Sequence, residues 1–397
     1  MNKRLVPKLR FPEFDGEWQE KKLGEITKIN QGLQIPISER YLEQVEGSHF
    51  YITNEFLKEG SNKKYFIKNP VHSVLCVEDD LLMTRTGNTG MVVTGVRGAF
   101  HNNFFKIKYD DQITSKWFLY YFLTSRKTQY NLLRLAGTST IPDLNHGDFY
   151  KIGINIPILQ EQTKIADFLT AVDNKIQQLT RKKELLEQYK KSVMQQIFSQ
   201  KIRFKDDNCN DYPAWEEKRL GDLFDYKNGG SFEEYVVEDG LYKLITLNSI
   251  DITGKLKEEH KTVNVTDNSL NKNDLVMVLS DVAHGNFLGL TDIIDRDDYV
   301  LNQRMGALKP KVIISTFFVK TFINYNQKYF KLKGQGSSQQ NLSKGDIICF
   351  KINMPCLKEQ NIIAEVLTLI DRNIGKVSLQ LQQTQIYKNA LLQQMFI

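Results

Sequence analysis

The sequence lacks most of what metal, redox and nucleotide chemistry require. Its four cysteines, Cys76, Cys209, Cys349 and Cys356, form no Cys-x-x-Cys pair and no Cys/His cluster. A zinc site of ordinary spacing is thereby excluded, and reduced thiols are expected. The six histidines lie in separate segments and build no triad or ligand set. There is no Walker loop, and "GQGSSQ" (334 to 339) lacks the third glycine of a dinucleotide fingerprint. Long apolar runs are missing too. "VIISTFFV" (312 to 319) is among the longest, well short of the roughly 18 residues a membrane span needs. The opening "MNKRLVPKLRFPEF" is basic without an apolar signal-peptide core, so a cytoplasmic location is the expectation.

Partial catalytic motifs fail on their details. "NPVH" (69 to 72) begins like an amino-methyltransferase signature but lacks the second proline and the stacking aromatic, and reads as a turn. Pro142-Asp143 followed by Glu161-x-x-Lys164 has the wrong acid-lysine spacing for a nuclease. The later half of the chain replaces Asp143 with Asn341 and Lys164 with Ile362. Glu20-x-Lys22 and Glu216-x-Lys218 recur with no acidic partner placed beside them.

What is present is a globular composition and a duplication. The 397 residues are 41% hydrophobic and 25% charged, enough for two or three domains with cores of their own. The net charge of +6 allows a nucleic-acid partner without demanding one. "PILQEQTKIADFLTAVDNKI" (157 to 176) returns 198 residues later as "PCLKEQNIIAEVLTLIDRNI" (355 to 374), with ten of twenty positions identical. "KLRF" (8 to 11), Trp18 and "KKLGEI" (21 to 26) return as "KIRF" (201 to 204), Trp215 and "KRLGDL" (218 to 223). The intervening residues keep only short echoes, such as "DDLLM" (79 to 83) against "NDLVM" (273 to 277). Self-similarity of this kind decides the architecture before any local reading. The chain is a variable module, a shared helix, a variable module and a shared helix.

Each shared segment carries a heptad pattern. Positions 165, 169, 172, 176, 179, 183, 186, 190, 193 and 197 step by alternating fours and threes, and eight of the ten are apolar. In the second copy Ile363, Leu367, Ile370, Ile374, Val377, Leu381, Leu391 and Met395 follow the same steps, with Thr384 and Lys388 as exceptions. A period of about 3.5 residues held over five heptads predicts a coiled coil. Each helix should run for about 39 residues, or roughly 58 Å, with only Gly375 interrupting. Periodicity does not distinguish a partner in the same chain from one in another. An antiparallel pair within the chain would bring the last residues near the first, in a pseudo-twofold circular arrangement. Inside the modules, "SVLCV" (73 to 77), "GMVVTGV" (90 to 96), "DLVMVL" (274 to 279) and "CFKINM" (349 to 354) read as strands. "SKWFLYYFLTS" and "STFFVKTFINY" read as helices, so the fold class is α+β.

These features together resemble the specificity subunit of type I restriction-modification systems. The resemblance spans nearly the whole chain and rests on "PKLRFPEFDGEW" with "KKLGEI", on "GTSTIPDLN" and "GQGSSQQNLSKGD", and on the two P-x-L-x-E-Q helix starts. It implies target recognition domains at 1–156 and 201–354, each reading one half of a split DNA sequence. The conserved-type helices at 157–200 and 355–397 would form the antiparallel coiled coil that sets the spacer. Two methyltransferase subunits would dock on this chain, each meeting the same surface of one helix start, and restriction/motor subunits would join through them. The chain itself would hold no cofactor and catalyse nothing. S-adenosylmethionine would sit in the methyltransferase subunits, which modify adenine N6, and ATP with magnesium in the motor-nuclease subunits. The competing reading is a coiled-coil DNA-binding regulator or protein adaptor that acts without methyltransferase partners.

Three pairs of segments carry side chains suited to DNA. In "MTRTGNTG" (83 to 90), Arg85 offers a fork for guanine or phosphate, and Thr86, Asn88 and Thr89 are small hydrogen-bonding groups. Its counterpart "LSDVAHGNFLG" (279 to 289) is expected to place Asp281 where Arg85 stands, and adds His284 and Asn286. "GTST" with Thr138 and Ser139, and "GSSQQN" with Ser337, Ser338 and Gln339, lie near Arg134, Lys331 and Lys333 and suit phosphate or base-edge contact. Asn102 and Asn103, with Asn302, Gln303 and Arg304, form the third pair. The plainer alternatives are solvated hairpins, ordinary loops and turn caps. Lys63, Lys64 and Lys68 read as a solvated basic face.

Overall fold

The computed structural model describes residues 5–397 apart from 59, 138–141, 268–269, 282–284 and 337–338. The chain divides into two units, Met1–Lys182 with Val377–Ile397, and Lys183–Lys376. Each takes part of both long helices.

In the first unit an antiparallel sheet orders Thr27–Gln31, Phe104–Tyr109, Leu81–Thr84 and Val92–Val93. Leu81 and Met83 join Phe105 and Ile107 on the side of the helix Lys116–Thr124. Leu82 and Phe104 join Ile52, Cys76 and Phe100 on the other side. Both faces are covered, which is why this strand is an unbroken apolar run rather than an alternating one. A second sheet orders Phe66–Lys68, Ser48–Ile52, Gly98–Phe100 and Leu75–Cys76, with Ser48–Ile52 parallel to Gly98–Phe100. The ribbon Gln19–Lys22 against Gly153–Ile156 leads into the first long helix.

The second unit repeats the plan. Its sheets order Phe224–Asn228, Met305–Pro310, Leu275–Val278 and Thr291–Ile293, and then Val236–Val237, Lys261–Val263, Tyr242–Ile245 and Tyr299–Leu301. Again one pair is parallel, Tyr242–Ile245 with Tyr299–Leu301. Leu275 and Met277 face one apolar layer and Val276 and Val278 another. The ribbon is Glu216–Arg219 against Lys351–Met354. Each run read as a strand from sequence contains one, and the two predicted module helices are Lys116–Thr124 and Thr316–Tyr325.

The long helices are Leu159–Phe198 and Leu357–Met395, of 40 and 39 residues. All ten seam positions in each are buried or half-buried, and Gly375 is carried within the second helix without a break. Two of the three charged exceptions at the seam have a partner on the other long helix. Lys388 meets Asp173 at 2.6 Å in the first unit, and Lys190 meets Asp371 at 2.7 Å in the second. In the first unit Asn155, just before the first long helix, reaches Ile397 while Asp173 reaches Lys388, so the helix segments there run antiparallel and the coiled-coil partner lies in the same chain. Within the first unit the last residues meet the first: Leu9 N donates to Gln394 O at 3.0 Å, and Asn155 Nδ2 to Ile397 O at 3.1 Å. Leu391, Leu392, Met395 and Phe396 complete that unit's core.

The repeated Glu-Gln pair proves to be a clamp. Glu161 accepts Arg10 Nε and Nη2, both at 2.7 Å, and Trp18 Nε1 at 3.2 Å. Glu359 accepts Arg203 Nε and Nη2 at 2.7 and 2.8 Å and Trp215 Nε1 at 3.0 Å. These contacts raise the pKa of Arg10 and of Arg203, the carboxylate hydrogen bond being the main cause. Gln162 Oε1 accepts Ser115 N at 3.0 Å, and Gln360 Oε1 accepts Ser315 N at 2.9 Å. Each of those serines caps a module helix. Both glutamates do lie in the first helical turn, but they are 1% and 0% exposed. These residues therefore add no exposed surface to the helix starts. The pair faces inward and joins each arm and module helix to the coiled coil.

Candidate nucleic-acid interface

In the first unit the strand Leu81–Thr84 runs into a tight loop closed by Gly90 N to Thr84 O at 2.8 Å and Thr84 N to Met91 O at 2.9 Å. Gly87, Asn88 and Gly90 take positive φ there, a conformation that glycine and asparagine adopt at least cost. Backbone contacts tie this loop to two distant segments. Arg85 N donates to Asn103 O at 2.7 Å, and Leu144 N donates to Arg85 O at 2.9 Å. Thr86 forms a β-bridge with Asp143, and Thr89 Oγ1 donates to Pro142 O at 2.6 Å. From the helix Arg126–Ala136, Gln129 Nε2 donates to Gly90 O at 2.8 Å. The segments around 85–90 and 101–103, chosen separately by residue type, thus meet at one place with 142–144, which follows the third chosen segment in the chain.

The glycine at 32 permits part of this convergence. A Cβ there would lie 2.2 Å from Phe100 O, and at the matching Gly229 2.0 Å from Asn302 O. Only a residue without a side chain lets the strand end pass so close to the turn. Within that turn Asn103 N donates to His101 Nδ1 at 3.1 Å, so this nitrogen is unprotonated. Burial first, and the nearby Arg40 second, lower the His101 pKa. Asn102 Nδ2 donates to Gln34 Oε1 at 3.1 Å.

The second unit assembles the same three segments. Leu279 N donates to Arg304 O at 3.0 Å, and Leu342 N donates to Leu279 O at 2.8 Å. Ser280–Asp281 pairs antiparallel with Gln340–Asn341. Gln339 Nε2 donates to Ser280 Oγ at 2.6 Å. Gln327 Nε2 donates to Asn286 O and Leu288 O at 2.8 and 3.0 Å, the counterpart of the Gln129 contact.

This register corrects the expected correspondence. Leu279, not Asp281, occupies the position of Arg85, because each donates to the turn and accepts from the 144 or 342 backbone. The sequence comparison slipped by two residues, since the loops differ in length and their side chains offer no anchor.

Side-chain placement separates the candidates into two groups. Asn88, Asn286 and Gln303 are exposed, and Thr86, Asn102, Asn103, Arg304 and Gln339 are half-buried. Thr89, Asp281 and Asn302 are buried. Asp281 Oδ2 accepts Phe287 N at 3.0 Å, and Asn302 Oδ1 accepts Phe232 N at 3.2 Å while its Nδ2 reaches Glu233 Oε1 at 3.3 Å. A direct contact to DNA from these three is corrected to a loop-shaping role, because their polar atoms face protein. Thr138, Ser139, His284, Ser337 and Ser338 lie outside the described residues. Arg85 is half-buried and binds Asp143, with Nε at 3.0 Å and Nη2 at 2.7 Å from the two carboxylate oxygens. In the sequence Asp143 stands out only as part of a false nuclease motif.

The chemistry available here is hydrogen bonding by amides, hydroxyls and a few cations. Arg134, and Lys331 with Lys333, stand in the last turns of the helices beside the loops. Among the described residues no group of three or more His, Cys, Asp or Glu could hold a metal ion. No helix of the described chain is long and apolar enough to cross a membrane. Two matched surfaces with different side chains suit readout of base edges, with basic residues alongside for the backbone.

The model of the type I restriction modification DNA specificity domain matches twice, over residues 15–188 and 213–383. The specificity subunit of the type I restriction enzyme MjaVIII from Methanocaldococcus jannaschii is 28% identical over 389 residues, covering 92% of this chain and 88% of that protein. The crystal structure of a type I restriction-modification S subunit from M. genitalium superposes with a TM-score of 0.62 at 18% identity, covering 99% of both chains. A chain from a structural study of complex assembly and conformational transition in a type I R-M system gives 0.59 at 16% identity, covering 94% of this chain and 96% of that one.

Proposed function

The chain belongs to the type I restriction-modification DNA specificity family and carries its domain twice, and from this we propose that each recognition domain, 1–156 and 201–354, reads one half of a bipartite DNA target. The observation that carries the reading is the convergence of the same three segments in both units, with Arg85 and Asp143 in one and Leu279 and Asn341 in the other. One backbone plan with different side chains is what two readers of different half-sites need.

The chain's partners are double-stranded DNA and the other subunits of the restriction-modification complex. In the proposed assembly two methyltransferase subunits dock on it, and the restriction/motor subunits join through them, in the cytoplasm. The chain supplies recognition and scaffold, not catalysis. S-adenosylmethionine belongs to the methyltransferase subunits and ATP with magnesium to the motor subunits. The paired helices, 157–200 and 355–397, set the number of unspecified base pairs between half-sites.

The test is sequencing of methylated adenines in cells that produce the methyltransferase partners with this chain, without it, and with one heptad inserted in the first long helix. Loss of the methylated motif without the chain, and a lengthened spacer with the insertion, are expected. Methylation that persists unaltered without the chain would overturn the specificity role, and an unchanged spacer would overturn the ruler. An adaptor or independent regulator would leave the methylation pattern untouched in every strain.

A further inference from the structure

Resting on the reading of each unit as a DNA reader, we propose that the first unit recognises a guanine through Arg85, with Asp143 as the residue that positions it. Asp143 binds the guanidinium side-on, through Nε at 3.0 Å and Nη2 at 2.7 Å. A bidentate contact of this kind fixes the plane of the group as well as its place. It uses the Nε hydrogen and one Nη2 hydrogen. The parallel N–H groups on Nη1 and Nη2 remain, and among the described residues they donate to no acceptor. That end-on fork matches the O6 and N7 acceptors of guanine in the major groove.

Two observations favour guanine over phosphate. The Asp143 side chain is 50% exposed beside the fork, so its charge opposes a phosphate there but not the neutral edge of a base. The backbone of Arg85 is held on both sides, by Asn103 O and Leu144 N. A fork fixed at its root and in its plane is ordered before DNA arrives, which suits a specific contact. The pair cannot form in the second unit, where Leu279 and Asn341 take the two positions. The guanine requirement therefore falls in one half-site only.

The experiment uses the full chain in complex with its methyltransferase subunits and a pool of duplex DNA randomised over both half-sites. Wild type is compared with Asp143→Ala and with the double variant Arg85→Leu/Asp143→Asn. The double variant copies the pair found at the same place in the second unit, so the loop has a precedent for folding. Its preference for guanine at one position of one half-site is expected to fall by about tenfold or more. The other half-site and the salt dependence should stay as they were, because the pair is close to neutral and releases few counterions. Asp143→Ala should weaken the same guanine preference and steepen the salt dependence, since the freed cation can then take a phosphate. Uniform weakening of the double variant on all sequences with a shallower salt slope would overturn the inference, as would base preferences unchanged throughout. A wild-type complex with no sequence preference would instead defeat the reader assignment and this inference with it.

Discussion

At the scale of single residues, each buried glutamate accepts three side-chain hydrogen bonds. Glu161 neutralises Arg10 and accepts the Trp18 indole with almost no solvent access. Glu161→Ala would strand the guanidinium of Arg10, whose side chain is only 12% exposed. Removing one partner of a buried pair costs about 3–5 kcal/mol, so a large drop in the urea midpoint is expected. Glu161→Gln keeps the shape and loses only the charge, and should cost less. A midpoint unchanged in the alanine variant would show that the arm is not held this way. These residues were legible from sequence as a repeat but not as a clamp. Glu161 and Arg10 are 151 positions apart, and nothing local says that a helix-start acid turns inward. Arg85 was legible by type, whereas its partner Asp143 was not, because their pairing depends on how two loops fold onto one strand end.

At the scale of elements, the heptad pattern carried nearly all of the information about the helices. Two of its three charged exceptions, Lys190 and Lys388, were opaque until the other helix supplied Asp371 and Asp173. The two bridges differ in what surrounds them. Asp173 also accepts Tyr121 OH at 2.9 Å, and Lys388 lies 5.6 Å from the Tyr121 ring centre. In the second unit the corresponding position is Thr321, whose hydroxyl bonds Phe317 O within its own helix. Asp173→Ala removes a hydrogen bond together with the ion pair and should cost about 1–2 kcal/mol. Asp371→Ala should cost about 1 kcal/mol or less, as partly exposed ion pairs do. Denaturation of the two variants side by side checks the order. Gly375 offers the opposite kind of change. A Cβ there meets nothing within 4 Å, so Gly375→Ala should stabilise the helix by about 0.5–1 kcal/mol, read as a raised denaturation midpoint.

At the scale of the whole molecule, the duplication joins invariance and variation in one chain. The repeated parts are those that hold each unit together: the arm with Arg10 or Arg203, the ribbon, the Glu-Gln clamp and the helix seam. The divergent parts are the loops on the sheets, where fold and sequence comparison part company. Four strands, two module helices and the coiled coil were recoverable from hydrophobic runs, but the order of the strands and the register between the two copies were not, as the Arg85 and Leu279 positions show. This division dictates where a module can be exchanged. Cuts after Lys22 and before Gly153 keep both ribbon strands, Gln19–Lys22 and Gly153–Ile156, and leave the Arg10, Trp18 and Glu161 side chains native. Gln162 reaches into the exchanged segment through backbone atoms alone, Ser115 N and Ile113 O. Any donor module of the same plan can therefore satisfy it without side-chain matching. Replacing residues 23–152 with the equivalent module of another family member should change one half of the methylated sequence and preserve the other, as read by sequencing of methylated adenines. Changes in both halves would mean that the readers are not independent, and the modular reading would fail.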